Sequence, residues 1–181
     1  LTDHEKFLYS SQVIAEQGGY GITAKINPKL LDTWMNGNNN IYDCIRKRIG
    51  KQLRNKKLSG IQLGYVIEGK TKKGCRTDLH LHGMFSGIDR FKLGSVKAAI
   101  EEALEAGPFR GGKGSHLDVK ITPYQDMFIF GETTAHGQWP IYCTKNIMSP
   151  DKRVPDNRIY MNPALKSQLK RFWEVLMDRN P

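Results

Sequence analysis

The chain has 181 residues, 39% of them hydrophobic and 25% charged, with a net charge of +10 and an isoelectric point near 9.6. That length suffices for one domain with a hydrophobic core, no run approaches the ~20 apolar residues of a bilayer-spanning helix, and the charge implies a polyanionic partner, nucleic acid first. Cys44, Cys75 and Cys143 are odd in number and lack the short paired spacings of a zinc site or disulfide framework, which fits a reducing cytosol.

Tyr20, Ile22, Ala24 and Ile26 alternate with Gly21, Thr23, Lys25 and Asn27, the pattern of a half-buried strand ended by Pro28. Ile41, Ile45, Ile49 and Leu53 then recur every four residues, which predicts an amphipathic helix. Seven cations between Arg46 and Lys57 surround that stripe and make Arg46, Lys47, Lys51 and Arg54 candidate DNA contacts. Ile61, Leu63, Tyr65 and Ile67 alternate with Gln62, Gly64, Val66 and Glu68, and a Lys- and Gly-rich turn follows at 69–74. A strand from about Asp78 to Ser86 completes a hairpin, with Leu79, Leu81 and Phe85 on one face and Asp78, His80, His82 and Met84 on the other.

Ser95 to Ala106 predicts a helix capped by Ser95 and stopped by Gly107-Pro108. A glycine-rich basic loop at 111–114 leads to a fourth strand, in which Leu117, Val119 and Ile121 alternate with Asp118, Lys120 and Thr122 before Pro123. Gly137 to Pro140 introduces a short helix carrying Tyr142 and Lys145, with Pro140 in its first turn. Leu165, Leu169, Phe172, Trp173 and Leu176 mark a C-terminal helix over about 162–178.

The order strand, helix, strand, strand, helix, strand is that of the split βαβ, or ferredoxin-like, α+β fold. A single domain over 1–181, with its core at about 20–147, would hold an antiparallel sheet covered by helices on one face and open on the other. Thr23, Lys25, Glu68, His80, His82, Asp118 and Lys120 fall on the open face. Residues two apart on a strand share a side, so the two imidazoles converge. Two such ligands make a loose metal site; an acidic third suits Mg or Mn, with Glu68 first and Asp118 and Asp78 behind it. Tyr142 and Lys145, three apart on a helix, put a cation beside a nucleophilic oxygen. Lys25 and Lys120 extend the basic surface toward DNA. Trp34, Tyr124 and Trp139 are either base-stacking or core residues, and His4, His116 and His136 receive no role.

These residues resemble a known family, the HUH endonucleases, and especially the single-tyrosine rolling-circle replication initiators. The resemblance rests on Tyr65-Val66-Ile67-Glu68-Gly69, on Leu79-His80-Leu81-His82-Gly83-Met84-Phe85, on Tyr-x-x-Lys at Tyr142 and Lys145, and on the element order. It implies a divalent metal, Mg or Mn, held by Glu68, His80 and His82, and attack by Tyr142 on a phosphate of single-stranded DNA. The product would be a 5′-phosphotyrosine adduct with a free 3′-hydroxyl, so that nicking and rejoining are one reversible reaction. The implied substrate is an origin hairpin or stem-loop, in a bacterial cytoplasm or, for a eukaryotic virus, the host nucleus. No Gly-Lys-Ser/Thr phosphate loop occurs, so a helicase would act in trans or from a missing C-terminal domain. The chain opens on Leu without a targeting segment, as a fragment would. Plasmid-mobilisation relaxases and single-strand transposases share this chemistry. A non-catalytic binding module of the same fold is the rival of another class, and it would need the aromatic pair that the sheet face lacks.

Overall fold

Period-two patterning produces strands where it predicts them: β1 (Tyr20–Lys25), β2 (Gln62–Lys70), β3 (Arg76–Ser86) and β4 (Val119–Pro123). The computed structural model describes residues 1–70, 75–106, 119–123 and 135–178, without the side chains of 135–138 and 176–178. Asp118, His116 and Tyr124, and the side chains of His136 and Leu176, therefore lie outside the described residues. A short fifth strand, β5 (Ile159–Met161), which the sequence does not announce, completes an antiparallel sheet of order β4-β1-β3-β2-β5. With α3 (Ile41–Asn55) between β1 and β2 and α4 (Leu93–Leu104) between β3 and β4, the fold is α+β and ferredoxin-like.

One face of the sheet carries the apolar alternates. Ile45, Ile49 and Leu53 of α3 and Val96 and Ile100 of α4 pack there on Ile22, Leu63, Ile67, Leu81 and Phe85. Each such side chain, fully buried, contributes about 1.5–3 kcal/mol. A further helix, α2 (Pro28–Asn36), starts at the proline that ends β1, capped by Asn27.

The opposite face is less open than the alternation suggests. Val66 and Met84 project from it, and α1 (Asp3–Glu16), α5 (Ala135–Thr144) and α6 (Pro163–Asp178) bury them with Phe7, Ile14, Trp139, Cys143 and Leu165. It stays open toward the exposed Lys25 and Lys120. Thr2 and Glu5 form the capping box that starts α1. Its buried face, however, includes Ser10 and Ser11, whose hydroxyls donate to Phe7 O and Leu8 O, and that blurs the helical stripe. Two helix starts also shift. Asp89 caps a 3-10 turn (Arg90–Lys92) that runs into α4, so Ser95 lies inside the helix. Pro140 sits inside α5, where it forfeits one backbone hydrogen bond. Among the described residues no helix is long and apolar enough to cross a membrane.

Candidate metal centre

Cross-strand register builds the site in two rows. Lys25, His80 and Glu68 face one another across β1, β3 and β2, and Lys120, Thr23, His82 and Val66 form the next row. A register shift follows between Glu68 and Lys70, at Gly69. There Arg153 clasps both strands: its Nη2 donates to Gly69 O (2.8 Å), its Nη1 to Thr77 O (2.9 Å), and Asp151 holds its other edge. A Cβ on residue 69 would run into Arg153 and Asp151, so only glycine lets this clamp close. Neither Arg153 nor Asp151 carries a signal in the sequence; the contacts exist only because the 151–154 turn folds back on the hairpin.

Glu68 Oε2 lies 3.6 Å from His80 Nε2 and 3.5 Å from His82 Nε2. One ligand atom from each of the three residues falls within 4.8 Å of the others. The protons are arranged for a cation. His80 Nδ1 is 2.8 Å from Asp78 O, a group that only accepts, so Nδ1 donates and Nε2 is the nitrogen turned toward Glu68. His82 Nδ1 pairs with Thr23 Oγ1 at 3.1 Å. Burial, with the neighbouring His80 and Lys145 charges, pushes the His82 imidazole down to about 3, so it is neutral at pH 7. Burial alone would raise the Glu68 carboxyl; contact with His80 and Lys145 outweighs it and holds the group below its ordinary range. Two imidazoles and one carboxylate, each oriented by a further hydrogen bond, are a fitting donor set for a divalent ion. Asp78 contributes its carbonyl to this arrangement, not a ligand oxygen.

Lys145, one residue beyond α5, reaches back to this centre. Its Nζ lies 2.5 Å from Glu68 Oε2, 3.2 Å from Tyr142 O and 3.8 Å from the centroid of the Tyr142 ring. Asn146 Nδ2 donates to Glu68 Oε1 (3.3 Å) and Lys70 O (3.1 Å), fixing the carboxylate from its other side. The Tyr142 ring sits 5.1 Å from the His82 ring and stacks on Trp139 at 5.4 Å and 14°. Trp139 is itself buried and donates from Nε1 to Gly83 O (2.9 Å), which makes it the tyrosine's support and not a free stacking platform. Trp34 is likewise a core residue. His4 pairs with Thr144 at the end of α5 (3.1 Å), a contact between α1 and the tyrosine helix without a sequence signal.

A cleft of about 330 Å³ opens over the group, lined by Thr23, Lys25, Lys70, His80, Tyr142 and Lys145 among others. Lys25 thus joins the site, and Lys120 lies one row away. The four α3 cations do not. The Ile45, Ile49 and Leu53 stripe of α3 packs on the sheet face opposite the histidines, so Arg46, Lys47, Lys51 and Arg54 stand on the other side of the sheet. Arg46 is also paired with Asp43 at 3.0 Å. Helical periodicity identifies the cationic side of α3 but not the layer in which it docks.

Compared with protein-family models, curated proteins and solved structures, the chain matches none.

The protonation pattern has a consequence for stability. An unfolded histidine takes up a proton near pH 6.5, whereas folded His82 stays neutral down to about 3. Its contribution is complete above pH ~6.5 and is lost as pH falls below that value, by up to about 1.4 kcal/mol per unit. Glu68, held low, adds a loss of the same sign toward the acid end. Urea unfolding in EDTA is expected to show this decline between pH 7 and 5, with a shallower slope for His82→Gln; equal slopes would mean that folded His82 takes up the proton freely.

Proposed function

We propose that the protein is a metal-dependent endonuclease that nicks and rejoins single-stranded DNA through a tyrosyl-phosphate intermediate, as an initiator of rolling-circle replication. The observation that carries this proposal is the meeting, in one cleft, of a Glu/His/His group with a tyrosine that rests against one of the histidines and a lysine that touches both. Structural metal sites have no need of an exposed phenol. Tyr142 is 41% exposed, and its hydroxyl has no hydrogen-bond partner among the described residues.

Glu68, His80 and His82 would hold Mg or Mn, which supplies Lewis-acid polarisation of a phosphate oxygen when bound. The rest of the chemistry belongs to the chain. The Tyr142 oxygen bonds to phosphorus as the P–O3′ bond breaks; the phenol loses its proton to solvent and the departing 3′ oxygen takes one up. Lys145, over the ring face, stabilises the phenolate and then the charge on the phosphoryl oxygens. Trp139 and the Lys145–Glu68 pair restrict Tyr142 to the metal side of the cleft. Because the adduct retains a phosphodiester's energy, the free 3′-hydroxyl can reverse the step.

Incubation with a mixed pool of single-stranded DNA and Mn²⁺, with and without EDTA, tests this on a denaturing gel. A metal-dependent shifted species with DNA attached at Tyr142 is expected. Binding without any adduct in a diverse pool would overturn the nuclease assignment in favour of a non-catalytic binding module.

A further inference from the structure

We infer that the outer face of α3 and the groove beside it form a second single-stranded-DNA contact, on the far side of the sheet from the metal centre. It shares with the nuclease proposal only the identity of the partner. Two independent observations carry it.

The first is how the α3 cations are used. Arg48 donates to Ala103 O (2.6 Å) and pairs with Glu105, and Lys56 pairs with Glu102; these two fasten α3 to α4. Lys47, Lys51 and Arg54 are exposed, and among the described residues none of them meets a carboxylate. At spacings of four and three they share one side of the helix, about 10 Å from end to end at 1.5 Å per residue. A row of unneutralised cations of that length fits a nucleic-acid backbone, whose phosphates release counterions on contact.

The second is Gly50. It lies in the interior of α3, the position where glycine most weakens a helix after proline. Among the described residues nothing requires it, because a Cβ there would meet only Arg54 Nη1, at an ordinary 3.5 Å. Gly50 lines an open groove of about 250 Å³ with Leu53, Arg54, Leu58 and Tyr160, immediately beside the cation row. A missing side chain on the wall of such a groove admits something external at close range. An apolar floor with a tyrosine, flanked by cations, suits one flat base with its phosphates on Lys51 and Arg54.

Fluorescence anisotropy with the full chain and oligothymidine of about 40 and about 10 nucleotides separates the two contacts, since only the longer strand spans both faces. Reversal of Lys47, Lys51 and Arg54 to Glu is expected to weaken long-strand binding at least ~30-fold and to flatten the salt slope by about 2, the value for three lost phosphate contacts. Gly50→Leu is expected to weaken it about fivefold with the slope unchanged, since it removes a base contact and no ion pair. Adduct yield on a short strand carrying the nick site stays the same in both. The control is an equal reversal on α6, at Lys166, Lys170 and Arg171. If that control loses as much affinity as the α3 variant, or if Gly50→Leu binds like the wild type, the second contact does not exist. Loss of long-strand binding in a protein that forms no adduct would sink the nuclease proposal and leave this one standing.

Discussion

Tyr142→Phe is expected to abolish the covalent DNA adduct, a fall of at least ~10⁴ in rate, while binding of single-stranded DNA changes less than about threefold. The separation follows from how the side chain is held. Its ring, not its hydroxyl, makes the protein contacts: Trp139 stacks on it, His82 meets its edge and Lys145 covers its face. Phenylalanine preserves all three. The hydroxyl has no hydrogen-bond partner among the described residues, so its removal leaves no buried group unsatisfied and the melting temperature is expected to move by no more than about 2 °C. An adduct of undiminished yield would remove Tyr142 from the reaction. An equal loss of binding and adduct would instead make the ring a DNA contact.

Removing a ligand should act on metal affinity directly, without reference to DNA. Glu68→Gln, His80→Ala and His82→Ala are each expected to weaken Mn²⁺ binding, read by calorimetry or by the Mn²⁺ electron paramagnetic signal, by about 100-fold or more. Glutamine is the informative change at position 68. It keeps the shape on which Lys145 and Asn146 rest, whereas alanine would leave a part-buried ammonium unpaired, at a cost of about 3–5 kcal/mol. Lys145→Met is expected to act in the opposite direction. Its ammonium lies on the same Glu68 oxygen toward which both imidazoles point, so it competes with any divalent ion for that atom. At an effective dielectric of ~20, a unit charge 4 Å from a doubly charged ion is repelled by about 8 kcal/mol before relaxation. Movement of the lysine and solvent screening reduce this to a gain in affinity of about tenfold on its removal. Weaker Mn²⁺ binding in Lys145→Met would show that the lysine holds Glu68 in place more than it opposes the ion. Unchanged Mn²⁺ binding in all three ligand variants would dismiss the metal centre.

Both experiments depend on residues that local pattern already picks out. Strand alternation puts His80 and His82 on one face whatever the rest of the fold does, because successive side chains on a pleated strand must oppose each other. Glu68 needed more. It joins the histidines only in the register that pairs it with His80, and a slip of one residue would turn it into the α3 layer. Three features secure that register beyond Glu68: the apolar alternates of β2, the glycine at position 69 and the Arg153 clasp. The clasp joins residues 76 and 84 apart in sequence, a distance over which no spacing pattern operates. The same is true of the lysine. Tyr-x-x-Lys places Lys145 beside Tyr142, but its contact with Glu68 arises because α5 docks on β3 through Trp139 and Cys143.

Periodicity in the chain was enough to specify the four long strands, the faces of α3, α4 and α6, the ferredoxin-like order and the pairing of two imidazoles. Each of these depends on which side of one element a residue occupies, a property set within two turns or a few strand residues. Tertiary packing settled the rest: that α1 and α5 cover the centre of the second face, that β5 extends the sheet, and that the basic side of α3 stands away from the metal centre. Those outcomes depend on which apolar surfaces find one another across the whole chain. The burial energy behind them is non-directional, so an amphipathic helix announces that it will dock but not against which layer.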